Sequence, residues 1–505
     1  MNERKIGAIL SYVNIAANII IQFAYTPIML RILGQNEFGV YSLSTSIVAY
    51  LGLLNFGFSG SYLKFYSKYK ANKDILSIKK LNAMYMIVFA FIAILIFMSG
   101  YALIQNIDLI IDKSFTASEI VLTKTLMCIM IINMAVMMPN TVFTSITVAH
   151  EKFIFSKMLS LLQTLGNPCL ALPLLLLGYG SKGMSFVLLF LSIISLTLNI
   201  LYCRQKLHIG FEFHNLDWHV LKEIMSFSVF IFLWSIVDQL NWQVGKVILA
   251  NLLGSTAVAI YTVGMQFTNL FMVFSTAISG VFNPQIYSYV YEKDARKKLT
   301  NLMIKVGRLQ FYVVFYIWLG YVVFGRSFMN LWAGENYDEA YYIGLWLMTP
   351  IVIALLQNTG IEILRAFNKH QMRTILHLAF AVVNVLISIP LTKMYGIMGC
   401  AIGSCISTFA SSTLVSNYFY SRVIKLDMKA FFREIARFYP VVIFTSVCGF
   451  VINKFCVINS WGSLCLYGIF FTIIYLFVAV KYGLNNYEKA LMTQGIAKLK
   501  SLIRH

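Results

Sequence analysis

Charge is what this sequence has least of. Only 12% of its 505 residues are Asp, Glu, Lys or Arg, and just 20 residues are acidic, whereas soluble domains run near 25% charged. No hydrophilic stretch is long enough to form a soluble domain. The eight cysteines fall mostly inside apolar runs. They show neither CxxC spacing nor a histidine cluster, so they point to neither disulfides nor a metal, and no cofactor is expected. No P-loop is present, so ATP is not hydrolysed by this chain. No A-x-A-like cleavage site follows the first apolar run, which is too long for a signal-peptide core and reads as a retained helix. The external connections are short, the longest near 105–120 and 326–340. A membrane-embedded glycan transferase would be expected to carry a larger loop with clustered acids or arginines.

What is present is apolar. Hydrophobic residues make up 59% of the chain and the mean hydropathy is +0.75. Runs of about 20 apolar residues, the length that crosses a bilayer, recur along the whole sequence. About fourteen are counted, centred near 20, 50, 92, 132, 166, 192, 234, 268, 316, 354, 383, 408, 446 and 472. Lipid leaves no water to satisfy backbone groups, and the runs are too long and continuous for barrel strands, so they are helices. The fold class is an all-α polytopic membrane protein.

The net charge of +20 could be taken for a nucleic-acid footprint. Its distribution excludes that reading. With the N-terminus on the cytoplasmic side, 32 of the 40 Lys and Arg fall in segments that would face the cytoplasm. The other eight are Arg31, Lys113, Lys124, Lys182, Lys246, Arg326, Lys393 and Lys454. Alternation in phase with the spans is the positive-inside pattern. It describes topology and contact with anionic membrane lipids rather than nucleic acid, and it rules out a large soluble protein.

The spans repeat. Shifting by 220 places Leu33 on Leu253, Gly34 on Gly254, Tyr41 on Tyr261 and Ser59-Gly60 on Ser279-Gly280. At 217, Asn167 meets Asn384 and Pro173 meets Pro390, and at 216 "YGSKG" at 179 meets "YGIMG" at 395. Six spans per repeat is an even number, so both halves enter from one side, giving a parallel repeat about an axis along the membrane normal. The expected organisation is a six-helix lobe at 1–203, a cytoplasmic linker at 204–222 and a second six-helix lobe at 223–421. Two further helices fill 422–481, and 482–505 is a cytoplasmic tail. Three histidines in the linker, His208, His214 and His219, are spaced six and five apart. That suits no helical face, so the segment reads as solvated.

Several spans carry polar residues on one face. Span 1 has Ser11, Asn14, Asn18 and Gln22; span 7 has Trp234, Asp238, Asn241 or Trp242, and Gly245. The shift of 220 lays Asn18 on Asp238. Span 4 has Asn133, Asn140, Thr144 and Thr147, and Asn140 meets Gln357 of span 10, which adds Asn358, Glu362 and Arg365. Single amides and hydroxyls glue helices together. Whole stripes on equivalent faces of two lobes read instead as a water-filled cavity, because a charge such as Asp238 in lipid costs several kcal/mol. Lys246 is expected further toward the outside, where it can snorkel or meet a phosphate. Glu362 and Arg365 are expected to pair, as a gate or a structural lock. Gly399 and Gly403 form a GxxxG read as helix packing, and Pro27, Pro173, Pro284 and Pro390 are placed in or near helix ends.

The runs "YTPIMLRILGQNEFGVYSL", "LLNFGFSGSYLKFYSKY", "NLDWHVLKEIMSFSVF" and "KVILANLLGSTAVAIYTVG" resemble the polysaccharide (O-antigen type) flippases. These belong to the multidrug/oligosaccharidyl-lipid/polysaccharide exporter (MOP) superfamily. The resemblance covers essentially 1–480 and implies a MATE-like fold with a central cavity and alternating access. The implied cargo is an undecaprenyl-diphosphate-linked glycan, with a glycan polymerase and chain-length proteins as possible partners. Candidate cations for the diphosphate are Arg31, Lys124, Lys246 and Arg365. Asn14, Asn18, Gln22, Trp234, Asn241 and Trp242 are candidates for sugars, and Asp238 for a coupling Na⁺ or H⁺. Two departures stand out. The family often has an acid just before the "KVIL"-like run, where this chain has Gly245, and Asp238 lies seven residues earlier. The branch that flips the peptidoglycan precursor carries arginines in span 1, and residues 18–25 here have none. The alternatives left open are a multidrug or cation antiporter of the same fold and a membrane-embedded transferase.

Overall fold

A computed structural model describes residues 3–111, 115–216, 218–485 and 488–489. Lys113 and the tail from 490 lie outside the described residues. Among the described residues every regular element is helical. The chain divides into two compact units, Met1–Thr262 with His377–Ser404, and Val263–Leu376 with Cys405–His505.

The first unit opens with α1 (Glu3–Leu51), which Gly34 interrupts in a left-handed conformation at φ 72°. A turn at 52–57 breaks the second span, with Phe56 and Gly57 at φ 48° and 73°, before α2 (Phe58–Ala71). The stretch from Lys5 to Ala71 is 67 residues, about 100 Å at 1.5 Å per residue. That is far more than one hydrocarbon thickness of about 30 Å can hold, and the break at Gly34 divides it into two crossings. Among the described residues eleven helices are long and apolar enough to span, or 13 when each of two bent pairs is taken as one span. Dividing the first stretch adds one more, in line with the hydropathy pattern.

α3 (Ile75–Gln105) starts at Asp74, whose side chain accepts from Ser77 N. α4 (Ala117–Ala149) starts at a reciprocal capping box between Thr116 and Glu119. Both caps satisfy amides that the first helical turn leaves without partners. α5 (Phe153–Leu176), α6 (Gly180–Gln205), α7 (Trp218–Trp242) and α8 (Val244–Leu252) follow. The linker between α6 and α7 leaves His214 exposed against Glu212, 3.2 Å from its carboxylate.

α9 (Ser255–Gly280), α14 (His370–Tyr395) and α15 (Ile397–Thr408) each contribute to both units. The second unit adds α10 (Asn283–Tyr289), α11 (Ala295–Trp332), α12 (Asp338–Leu356) and α13 (Asn358–Ala366). After α15 the helix continues through π-helical turns and α16 (Ser416–Tyr418). α17 (Met428–Ala436), α18 (Tyr439–Phe455) and α19 (Trp461–Val478) close the chain. Within this unit Arg308 is buried and bidentate on Glu488, at 2.7 and 2.9 Å. It also donates to the carbonyls of Gly483 and Glu434 and stacks over Phe438 at 4.6 Å.

The repeat is written in the backbone. Gly34 and Gly254, Gly180 and Gly396, Glu151 and Asn368, and His208 and Lys425 all have positive φ. Their separations are 220, 216, 217 and 217, the offsets seen in the sequence. Left-handed backbone is strained for side chains larger than glycine, so four matched pairs mark four matched turns. Two prolines sit at helix ends as expected, Pro284 in the first turn of α10 and Pro173 in the last turn of α5, while Pro27 and Pro390 lie further inside their helices. Membrane helices tolerate internal proline because neighbouring groups re-satisfy the freed carbonyl.

The GxxxG does pack a helix. A Cβ on Gly399 would lie 1.9 Å from the Leu391 carbonyl oxygen, and one on Gly403 would lie 2.4 Å from Ser388 Oγ. Gly399→Ala is therefore expected to cost at least the 1–3 kcal/mol typical of overpacking, because the obstacle is backbone. Thermal unfolding in detergent reads this, and an unchanged midpoint would contradict it.

Candidate functional site

Within the first unit α2, α4, α5 and α6 line an open cavity of about 580 Å³. α4 supplies Asn140, Thr141, Thr144 and Ser145, a polar patch one to two turns long that follows Pro139. α6 supplies Ser195 and Asn199, one turn apart on one face. α5 supplies Ser156, Lys157, Ser160 and Gln163. The lining contains one cation, Lys157, and no carboxylate.

The wall is built by hydrogen bonds between helices. Asn199 Nδ2 donates to Asn140 Oδ1 at 2.7 Å and to Thr144 Oγ1 at 3.3 Å. Asn140 Nδ2 donates to Ser195 Oγ at 3.2 Å. On the α2 side Tyr62 donates to Asn82 Oδ1 at 2.6 Å, which fixes the phenol rim. Buried amides pair because an unmet one costs about 1–3 kcal/mol. The cavity can hydrogen-bond a large polyhydroxylated molecule and attract an anion, and it offers a cation no counter-charge.

Not every residue singled out in the sequence reaches this cavity. Asn140 lines it. Asn14 supports it from behind, donating to Ser160 Oγ at 2.6 Å and accepting from Thr164 at 2.9 Å. Asn14 therefore joins α1 to α5 and does not face open water. Asn18 is exposed and accepts from Gln22 at 3.3 Å. Arg31 is exposed near the far end of its span. Lys124 lies 16 residues before Asn140 on α4, about 24 Å along the axis, and is not brought to the cavity.

On α7, Trp234 packs its ring 5.9 Å from His377, Asp238 is hydrogen-bonded by Trp242, and Asn241 is half-buried. The break between α7 and α8 follows directly. Lys246 is buried, with Gln243 Oε1 at 3.4 Å as its hydrogen-bond acceptor, so it does not snorkel. Apolar neighbours in sequence do not distinguish a lysine facing lipid from one facing packed helices.

In the second unit Gln357 is buried and donates to Asn417 Oδ1 at 3.0 Å. Glu362 and Arg365 form the expected pair at 2.7 Å. Sequence reasoning missed Asn199, Ser195, Ser160, Gln163 and Lys157. The signal was there, because a shift of 218 lays Asn199 on Asn417, so the amide bridges 140–199 and 357–417 are repeats of one another.

The chain matches the family model described as "Polysaccharide biosynthesis protein" over residues 5–290. A putative O-antigen transporter of Shigella flexneri is 20% identical over 78% of this chain and 92% of its own length. An uncharacterized membrane protein of Bacillus subtilis, EpsK, is 22% identical over 58% of each. Among solved structures, the inward closed conformation of the lipid II flippase MurJ superposes with a TM-score of 0.72. It does so at 14% identity over 94% of this chain and 98% of the other. An inward-facing multidrug resistance MATE transporter gives 0.63 at 13% identity, over 82% and 99%. At these identities the structures establish the fold. With the family match over more than half the chain, this protein belongs to the family described as polysaccharide biosynthesis proteins.

Proposed function

We propose that the chain carries a polyprenyl-diphosphate-linked oligosaccharide from the cytoplasmic to the outer leaflet of the bacterial inner membrane by alternating access. The distribution of Lys and Arg supports placing both termini in the cytoplasm. The observation that carries this reading is the set of polar groups in the first-unit cavity: amides, hydroxyls and Lys157, set among apolar residues such as Leu63, Met137 and Leu159, with no carboxylate. Sugar hydroxyls take hydrogen bonds from such groups, and the diphosphate takes the lysine. The polyprenyl tail stays in lipid. The cavity lies at the end of the unit that bears the basic segments 64–80 and 150–157, the side on which the cargo is assembled. Cation antiport on the same fold needs a carboxylate where the cation sits, and this lining has none.

The test is a bacterial strain whose own flippase for such a glycan has been deleted. Expression of this chain is expected to return the glycan to the cell surface. Surface glycan that stays absent, with ethidium accumulation lowered instead, would replace the flippase by an antiporter. Asp238→Asn is expected to impair export at unchanged protein level, since Asp238 lies about one turn before the α7–α8 break, where Trp242 hydrogen-bonds its carboxylate. Wild-type export from that variant would remove Asp238 from coupling and gating.

A further inference from the structure

An apolar groove of about 1060 Å³ runs between α3 and α7 in the first unit. All eleven residues lining it are apolar, among them Phe58, Phe91, Met225, Val229 and Phe232. Phe56, in the break of the second span, closes one side with its ring 5.2 Å from that of Phe232. A smaller pocket of about 540 Å³ holds Tyr69, Ser77 and Lys80. The two lie end to end along the same pair of helices. On α3 the pocket ends at Met84 and the groove begins at Ile87, one turn on; on α7 they meet at Val220 and Leu221.

Charge and length identify what fits. Lys80 is half-buried and senses both Asp74 and Glu212. Asp74 is engaged by Ser77 N and Oγ at 2.9 and 2.6 Å, and Glu212 by His214. Across segments 64–80 and 212–223, seven lysines stand against four acids. An anion arriving at Lys80 therefore meets a net positive field. The apolar groove extends from residue 87 to 95 on α3, about 12 Å, within one leaflet's share of about 15 Å. A glycerophospholipid acyl chain has that reach, and a polyprenyl chain would overrun it.

We propose that this trough binds one anionic glycerophospholipid from the leaflet at the basic end. The phosphate sits at Lys80 and the acyl chains lie along α3 and α7, against the break at 52–57. The site shares no residue with the polar cavity, and it holds whatever the transported cargo is. A lipid wedged against this break in the α-helix is placed to influence how α2 and α7 bend.

The full chain purified in detergent tests this by native mass spectrometry and thermal unfolding, with phosphatidylglycerol, phosphatidylcholine or undecaprenyl phosphate added. Phosphatidylglycerol is expected to be retained in preference and to raise the midpoint. Lys80→Gln is expected to lower its retention about fivefold, the worth of one basic contact to an anionic lipid, with the lipid-free midpoint unchanged. Val229→Trp, which fills the groove and keeps Lys80, is expected to abolish retention. Equal retention of phosphatidylcholine, or a Lys80→Gln variant that retains phosphatidylglycerol normally, overturns the proposal. Stronger retention of undecaprenyl phosphate overturns the assignment to a glycerophospholipid.

Discussion

Glu488→Ala is expected to deplete the folded protein, at a cost of about 3–5 kcal/mol, because it leaves Arg308 buried without its bidentate partner and with only the Glu434 carboxylate, at 3.7 Å, as counter-charge. Arg308 and Glu488 are 2% and 4% exposed. Around the bidentate pair, Tyr312 OH and the Asn485 N–H also donate to Glu488 Oε2 at 3.0 and 2.9 Å. Arg308→Lys is not expected to rescue, since a lysine cannot reproduce the planar fork that also reaches the Gly483 and Glu434 carbonyls. The double variant Arg308→Met with Glu488→Met removes both charges and is expected to recover most of the loss. Monodisperse yield and thermal midpoint in detergent read all four proteins. If the double variant is as unstable as Glu488→Ala, charge stranding is not the cause. The pair also carries a pH signature. Burial alone would raise the Glu488 carboxyl, but hydrogen bonds from Arg308 and Asn485 and the guanidinium charge outweigh it and hold it below its usual range. A depressed carboxylate contributes its stability above the ordinary value of about 4.3 and loses it as pH falls through the lower folded value. The midpoint of the wild type is therefore expected to fall on acidification in that window, and that of the double methionine variant to fall less.

This pair shows where sequence reading stops. Its partners are 180 residues apart, and neither periodicity nor the repeat connects them. The features that were legible are those the chain writes locally or twice. Gly34 and Gly254 align at 220 and both adopt left-handed backbone, so a sequence coincidence became a structural repeat. Gly399 and Gly403 were readable because close helix approach demands missing side chains. The polar stripes were legible only as stripes. Asn14 and Asn140 look alike in sequence, yet Asn14 joins α1 to α5 while Asn140 lines the cavity. A one-faced polar pattern marks the side facing protein, and it does not say whether the neighbour is a helix or water. The breaks at 52–57 and at Gln357 were invisible for a different reason. Neither contains proline, and the helix terminates there through turn geometry and packing rather than through a missing donor.

Lys157→Glu is expected to reduce glycan export at least tenfold while leaving the protein folded. Lys157 is half-buried on the first turns of α5, the one charged residue among those lining the cavity. Replacing it by Glu sets like charges together where a diphosphate would bind, and such juxtaposition costs several kcal/mol, with each 1.4 kcal/mol worth about tenfold. Lys157→Gln removes the attraction without adding repulsion and is expected to fall between that variant and the wild type. Lys157→Arg keeps the charge and the reach and is expected to export normally. The order Arg, Gln, Glu separates an electrostatic role from a steric one, because Gln and Glu are nearly the same size. Surface glycan per cell, normalised to protein in the membrane, reads the series, and unfolding in detergent checks that no variant has simply collapsed. A cation carrier would invert the outcome: Lys157→Glu would improve uptake or efflux of a cation such as ethidium. Equal export by the Gln and Glu variants would show that the diphosphate does not pass Lys157, and would move the anion site out of this cavity.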